Sequence, residues 1–177
     1  MPGVWRRAGW ATLFTVLLGM SAYALSVVLP ASYRAPSPVA AVPETATPSG
    51  LAFGDDGALR LLAVETPAQR YRPGERVPVT LYLQAGQVLD HDYQLFIQFL
   101  DEQGAEVANL TSHPGWGRNP TSLWRAGAIY PDAYSLALTG ALDNRSPLAA
   151  RLYVGFVDPT AETIGPAAAT NAAGETA

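Results

Sequence analysis

The chain opens on an unbroken apolar block, Ala8 to Leu29, that starts directly behind Arg6-Arg7 and stops at Pro30. The block carries no charge, and its roughly 22 residues at ~1.5 Å each predict a helix of about 33 Å, long enough to cross a hydrocarbon core. The paired arginines put its N-terminus on the cytoplasmic side and export the remainder. The alternative is a cleavable signal peptide, with Arg6-Arg7 as its n-region, Gly9 to Met20 as its apolar region and Ala22-Tyr23-Ala24 as its cleavage site. The apolar run continues through Leu25-Ser26-Val27-Val28-Leu29, which a signal peptide does not need. Trp10 and Tyr33 also suit the two interfacial belts. A retained transmembrane helix is therefore expected over residues 8–30, with residues 1–7 cytoplasmic.

Behind it, residues 31–49 gather Pro36, Pro38, Pro43 and Pro48 among Ala, Ser, Thr and Val, the composition of an extended spacer of polyproline type. From residue 50 the period becomes two. Val77, Val79, Leu81 and Leu83 alternate with Pro78, Thr80, Tyr82 and Gln84, which predicts a half-buried strand. Tyr93, Leu95, Ile97 and Phe99 alternate with Gln94, Phe96, Gln98 and Leu100. Asp101-Glu102-Gln103-Gly104 then turns into Ala105 to Leu110, a hairpin. Leu59 to Val64 forms an earlier strand, Arg72-Pro73-Gly74-Glu75 a turn, and the alternations around Tyr134 and Val154 two later strands, the last ending at Asp158-Pro159. The expectation is an all-β, antiparallel, immunoglobulin-like β-sandwich of about seven strands over residues 50–166, preceded by a single N-terminal transmembrane helix. The tail, residues 167–177, reads as disordered.

Composition narrows the chemistry. The 177 residues include no cysteine, which excludes disulfides, zinc-thiolate sites and cysteine nucleophiles. Every basic residue is arginine, so Schiff-base chemistry and a Walker lysine are excluded as well. A net charge of -4 argues against nucleic acid as a partner.

The titratable residues offer little catalysis. Asp90 and Asp92 flank His91 and could bind a cation or serve as acid and base, but a connection between strands explains them more simply. With two histidines, His91 and His113, a three-histidine zinc site is impossible, and no Gly-x-Ser-x-Gly elbow is present. No catalytic residue, metal ligand or cofactor is assigned. The strongest binding candidates lie on and after the loop Thr111 to Pro120: Trp116, Trp124, Tyr130 and Tyr134, with Arg118, Asn119 and Arg125 nearby. Sugar rings stack their C–H faces on flat aromatics while Arg and Asn bond hydroxyls, so a glycan or polyprenyl-linked sugar would suit Trp116, Arg118, Asn119, Trp124, Tyr130 and Tyr134. The competing reading makes the aromatics core and loop packing. Asn109-Leu110-Thr111 and Asn144-Arg145-Ser146 match the N-glycosylation pattern and are read as accidental matches.

Several segments resemble a known module. They are Leu51-Ala52-Phe53-Gly54-Asp55, Arg72-Pro73-Gly74-Glu75, Val79 to Ala85, Asp92 to Asp101, Pro120-Thr121-Ser122-Leu123-Trp124 and Tyr153 to Asp158. Together they are similar to the C-terminal domain of bacterial family 39 glycosyltransferases, proteins similar to dolichyl-phosphate-mannose protein mannosyltransferases. In those proteins a last transmembrane helix leads through a Tyr- and Pro-rich stretch into that domain, as Pro30 to Pro38 would here. Two turns depart from the pattern: Arg125-Ala126-Gly127 follows the tryptophan where Pro-Gly-Glu is usual, and Ser146 to Arg151 replaces Pro-Gly-x-Tyr. The family's chemistry belongs to a multi-span membrane half, whereas this chain offers one span, and Asp55-Asp56 matches the sandwich entrance rather than a catalytic acid. The resemblance implies a non-enzymatic accessory module for cell-envelope glycosylation, with the membrane, a sugar ligand or a multi-span glycosyltransferase as partner. A carbohydrate-binding module and a fragment of a family 39 enzyme are the alternatives.

Overall fold

A computed structural model describes residues 3–29, 34–139, 149–160 and 169–170. The chain divides into two units, Met1–Ala35 and Pro36–Ala177.

The first unit is one helix, α1 (Gly3–Tyr23), continued by a π-helical turn, Ala24–Val28. Its stretch Gly9–Val28 is long and apolar enough for a membrane span, and a signal sequence meets the same test. None of that stretch is buried by protein, so Phe14, Leu18 and Met20 present their side chains outward. Two of its hydroxyls bond back into the helix: Thr15 Oγ1 donates to Ala11 O at 2.9 Å, and Ser26 Oγ to Ala22 O at 2.6 Å. Such back-bonding lets hydroxyls sit in apolar surroundings without an open donor.

The second unit is an all-β sandwich. Its strands are β1 (Thr47–Phe53), β2 (Leu59–Glu65), β3 (Arg76–Ala85), β4 (Gln94–Leu100), β5 (Glu106–Ser112), β6 (Ile129–Ala137), β7 (Arg151–Val157) and the two-residue β8 (Ala169–Thr170). One sheet runs β6-β3-β2-β1-β8 and the other β5-β4-β7, with antiparallel pairing throughout. The alternation read in β4 is the burial pattern observed, and β3 follows its own except that Tyr82, on the outward parity, is buried as well. Val77, Val79, Leu81, Leu83, Leu95, Ile97 and Phe99 face one core, and Phe53 meets Phe156 edge-on across it at 5.3 Å. In the expected hairpin, Asp101 Oδ1 accepts the Gln103 and Ala105 amides at 2.9 and 2.8 Å, and Gly104 takes φ 78°.

The structure departs from the sequence reading at both ends of the sandwich. Residues 31–49 were expected as a spacer, yet from Pro36 onward the chain belongs to the sandwich unit. Ala46 and Val42 cover Tyr82 and Ala63 on the outer face of the five-stranded sheet, and Val39 bridges Ile129. A shift in the β2–β3 register between Leu61 and Ala63 prepares this face, because a bulge reverses the inward and outward positions beyond it. Glu65 holds the cover down, accepting from Thr45 Oγ1 at 2.9 Å and from the Tyr82 hydroxyl at 3.0 Å. Thr47 and Pro48 then enter β1. Pro48 stands near the start of the strand, a place where proline is tolerated, and pairs with Ala63 of β2. At the other end, Ala169 and Thr170 extend the sheet instead of fraying. Backbone pairing needs no apolar side chain, so composition gave no sign of it. Residues 171–177, residues 140–148 with the Asn144 motif, and the expected boundary at 166 lie outside the described residues.

Phe53 is 1% exposed and joins the two sheets. Phe53→Ala is expected to lower unfolding free energy by about 3–5 kcal/mol in chemical denaturation, the range for a truncated core aromatic.

Candidate functional site

The connection from β5 to β6 crosses from one sheet to the other, and it is built around a tight turn, Pro114–Gly117, and a 3-10 turn, Thr121–Leu123. Gly115, Trp116 and Gly117 take φ of 64°, 58° and 78°, three consecutive left-handed residues. Glycine is required at 115, where an added Cβ would lie 2.8 Å from the Asn119 Cβ. Trp116 has no such freedom; a bulky side chain in this region stores roughly 1–3 kcal/mol and persists only where its surroundings enforce it.

The enforcement comes from several directions. The Gly117 amide donates to His113 O at 3.1 Å and the Asn119 amide to Pro114 O at 3.1 Å. Arg118 Nε donates to Gly115 O at 2.9 Å, and Trp116 Nε1 to Ala133 O at 3.3 Å. The deepest anchor is Asp132 of β6, 1% exposed and on the core-facing side of its strand with Tyr130, Tyr134 and Leu136. Its Oδ2 accepts the Gly115 amide at 2.8 Å and the Tyr134 hydroxyl at 2.5 Å. Burial raises the Asp132 carboxyl above its ordinary 3.8. The bonds from Tyr134 and Gly115 and the charge of Arg118 pull the other way without cancelling it. Burial also raises the Tyr134 hydroxyl, and the adjacent carboxylate adds to the shift, so this hydroxyl remains a donor.

Around this anchor the six sequence candidates separate. Trp116 stays 46% exposed, its ring tilted over Tyr134 at 5.4 Å, and Arg118 is also exposed. Asn119, Trp124, Tyr130 and Tyr134 are buried. Trp124 stacks on Tyr130 at 4.8 Å and donates from Nε1 to Asn119 O at 3.1 Å, closing one end of the core. Trp116 and Arg118 are therefore the two exposed members of the set, and the other four pack inside.

Two residues outside the sequence candidates fix this loop. One is Asp132. Its signal was present as a carboxylate on the inward parity of an alternating strand, among Tyr130, Tyr134 and Leu136. The other is Thr121, fully buried, whose Oγ1 accepts the Tyr93 amide at 2.9 Å and donates to His91 O at 3.2 Å.

The Asp90-His91-Asp92 group holds the loop as well. Asp92 Oδ1 accepts the Ser122 amide at 2.9 Å, and that bond is the main reason its carboxyl sits below 3.8. His91 lies between carboxylates, with Nδ1 2.6 Å from Asp90 and Nε2 3.1 Å from Asp158, the latter off the line of a hydrogen bond. Its ring rests on Tyr93 at 4.4 Å. His113 Nε2 is 3.4 Å from Gln94 Nε2. Among the described residues no group of three or more His, Cys, Asp or Glu could hold a metal ion. Gly54 to Gly57 forms a turn, with the Gly57 amide 3.3 Å from Gly54 O. No family model, curated protein or solved structure matches this chain.

Asp132→Ala leaves a buried amide and a buried hydroxyl without their acceptor, so a loss of about 2–4 kcal/mol in unfolding free energy is expected. The pH dependence has opposite signs at the two aspartates. Asp132 binds its proton more tightly when folded, so its contribution grows as pH falls through the raised value toward 3.8, and Asp132→Asn should lack that gain. Asp92 contributes above 3.8 and loses its contribution as pH falls through its lowered value, so Asp92→Asn should cost stability at neutral pH and little in acid. Denaturation midpoints measured from pH 7 to pH 3 check both signs, with the pH range set by these shifts.

Proposed function

We propose that this chain is a membrane-anchored β-sandwich on the outer face of the cytoplasmic membrane, serving cell-envelope glycosylation as a non-catalytic accessory module. The observation that carries the binding part of this reading is Trp116. Its half-exposed ring is held in a strained backbone conformation by a buried carboxylate, beside the exposed Arg118. Backbone strain of this kind clusters at ligand contacts and active sites. A flat aromatic face next to a guanidinium suits the C–H face of a sugar ring with a hydroxyl or phosphate beside it, as in a polyprenyl-linked sugar.

The anchoring part rests on Gly9–Val28 and on the arginine pair that precedes it. The accessory part rests on the resemblance to the C-terminal module of family 39 glycosyltransferases. Duties within the fold also occupy the groups that catalysis would need: Asp92 caps a loop turn, Asp101 closes a hairpin, and Asp132 pins Gly115.

Two measurements test the reading. Alkaline phosphatase fused to the C-terminus should be active while an N-terminal tag stays on the membrane-bound chain; an inactive fusion or loss of the tag contradicts the anchor. In vesicles containing undecaprenyl-phosphate-mannose, the full chain should bind without releasing or transferring hexose. Trp116→Ala should weaken that binding about tenfold, equivalent to ~1.4 kcal/mol, with little change in unfolding midpoint.

A further inference from the structure

The three-stranded sheet has an outer face that the Trp116 loop does not use. In β4, Leu95, Ile97 and Phe99 are buried in the core, so Gln94, Phe96, Gln98 and Leu100 face the other way. The register places Gln98 between Asn109 of β5 and Tyr153 of β7, and Phe96 beside Gly155. A Cβ built on Gly155 would lie 2.2 Å from Phe96 Cζ and 2.4 Å from Cε1. The Phe96 ring therefore reaches across the strand gap and lies down over the glycine, which it buries, with its opposite face turned outward. Tyr153, 45% exposed, stands two residues along the same face. The absence of a side chain at 155 thus makes an aromatic platform.

Amides border the platform. Glu106 accepts from Gln98 Nε2 at 3.4 Å and from Asn109 Nδ2, so one carboxylate orients two neighbouring side-chain amides. Each keeps a carbonyl oxygen and a second N–H for a ligand. Alternate residues along a strand are ~6.8 Å apart, so Gln94 lies on one side of Phe96 and the Gln98–Asn109 pair on the other. The rows through Gln94, Phe96 and Gln98 pair with Val157, Thr111, Gly155, Asn109 and Tyr153, none of them an acid, an arginine or a lysine, and His113 stands beside Gln94 at 3.4 Å. The backbones of Glu106 and Arg151 lie opposite Leu100, and the Glu106 carboxylate reaches the Gln98–Asn109 pair, where the two amides occupy it.

This chemistry selects among ligands. An anion would call for guanidinium or ammonium groups along the rows, and an apolar helix for a groove without amides. Aromatic faces bordered by amides suit C–H faces bordered by hydroxyls. We infer that the outer face of β5-β4-β7 binds a neutral saccharide chain, with Phe96 and Tyr153 stacking on sugar rings and Gln94, Gln98 and Asn109 bonding their hydroxyls. The choice of ligand class rests on the reading of the chain as a glycosylation module, while the place is separate from Trp116.

The test is calorimetric titration of the detergent-solubilised full chain with maltohexaose, mannohexaose and chitohexaose. At least one should bind, and Phe96→Leu, Gln98→Ala and Tyr153→Ala should each weaken binding about tenfold. Leu at 96 keeps an apolar cover over Gly155, and unchanged unfolding midpoints would show that the fold is intact. Trp116→Ala should leave this binding unaltered. Loss through Trp116→Ala alone would overturn the inference in favour of the loop, and absence of binding to all three probes would overturn it outright. Self-association abolished by Phe96→Leu, without saccharide binding, would assign the face to a second copy and equally overturn it. Membrane topology and the Trp116 vesicle assay do not involve this face, so failure here is distinguishable from failure of the accessory-module reading.

Discussion

The buried carboxylate of Asp132 is the contact on which the β5–β6 connection depends. A charge taken out of water is costly unless donors surround it. Here the Gly115 amide and the Tyr134 hydroxyl supply donors, and Arg118 adds an opposite charge nearby. Those donors come from the strand and from the loop, so satisfying the carboxylate fixes the loop against the strand. The left-handed run Gly115-Trp116-Gly117 follows, because the backbone must present its 115 amide inward while the chain reverses direction. Trp116 is thereby left outside, tilted on Tyr134. Removing a pinned amide from this arrangement releases the strain at Trp116 along with the contact.

The strands that alternate strictly were legible in the sequence. β4 buries every second residue, and the buried set is the one the alternation named; β3 does the same except at Tyr82, which the Ala46 segment covers from outside. The hairpin at Asp101–Gly104 was legible because its aspartate and glycine each have a specific backbone duty. What remained hidden does not act through periodicity. The segment from Pro36 to Ala46 packs through small residues on a face exposed by a register shift, and a shift of one residue leaves no mark in composition. β8 pairs with the end of β1 over two residues, too few to carry a period.

The aromatic loop was half legible. Trp116 rests on Tyr134, but burial divides the set, and Trp124 and Tyr130 belong to the core. Asp132 was passed over because a single carboxylate in a strand reads as surface unless its parity is checked against its neighbours. The platform at Phe96 and Gly155 was hidden for another reason. It depends on a cross-strand pair 59 positions apart by the numbering of the chain, and no local pattern reports such a pairing.

Amide hydrogen exchange at Gly115, measured by NMR on the full chain, tests the central claim most directly. If the buried carboxylate pins the loop, the Gly115 amide exchanges slowly, and Asp132→Ala accelerates it together with Gly117 and Asn119 while the β3 and β4 amides keep their protection. A Gly115 amide that exchanges freely in the unaltered chain, or one that stays protected in Asp132→Ala, would contradict the account.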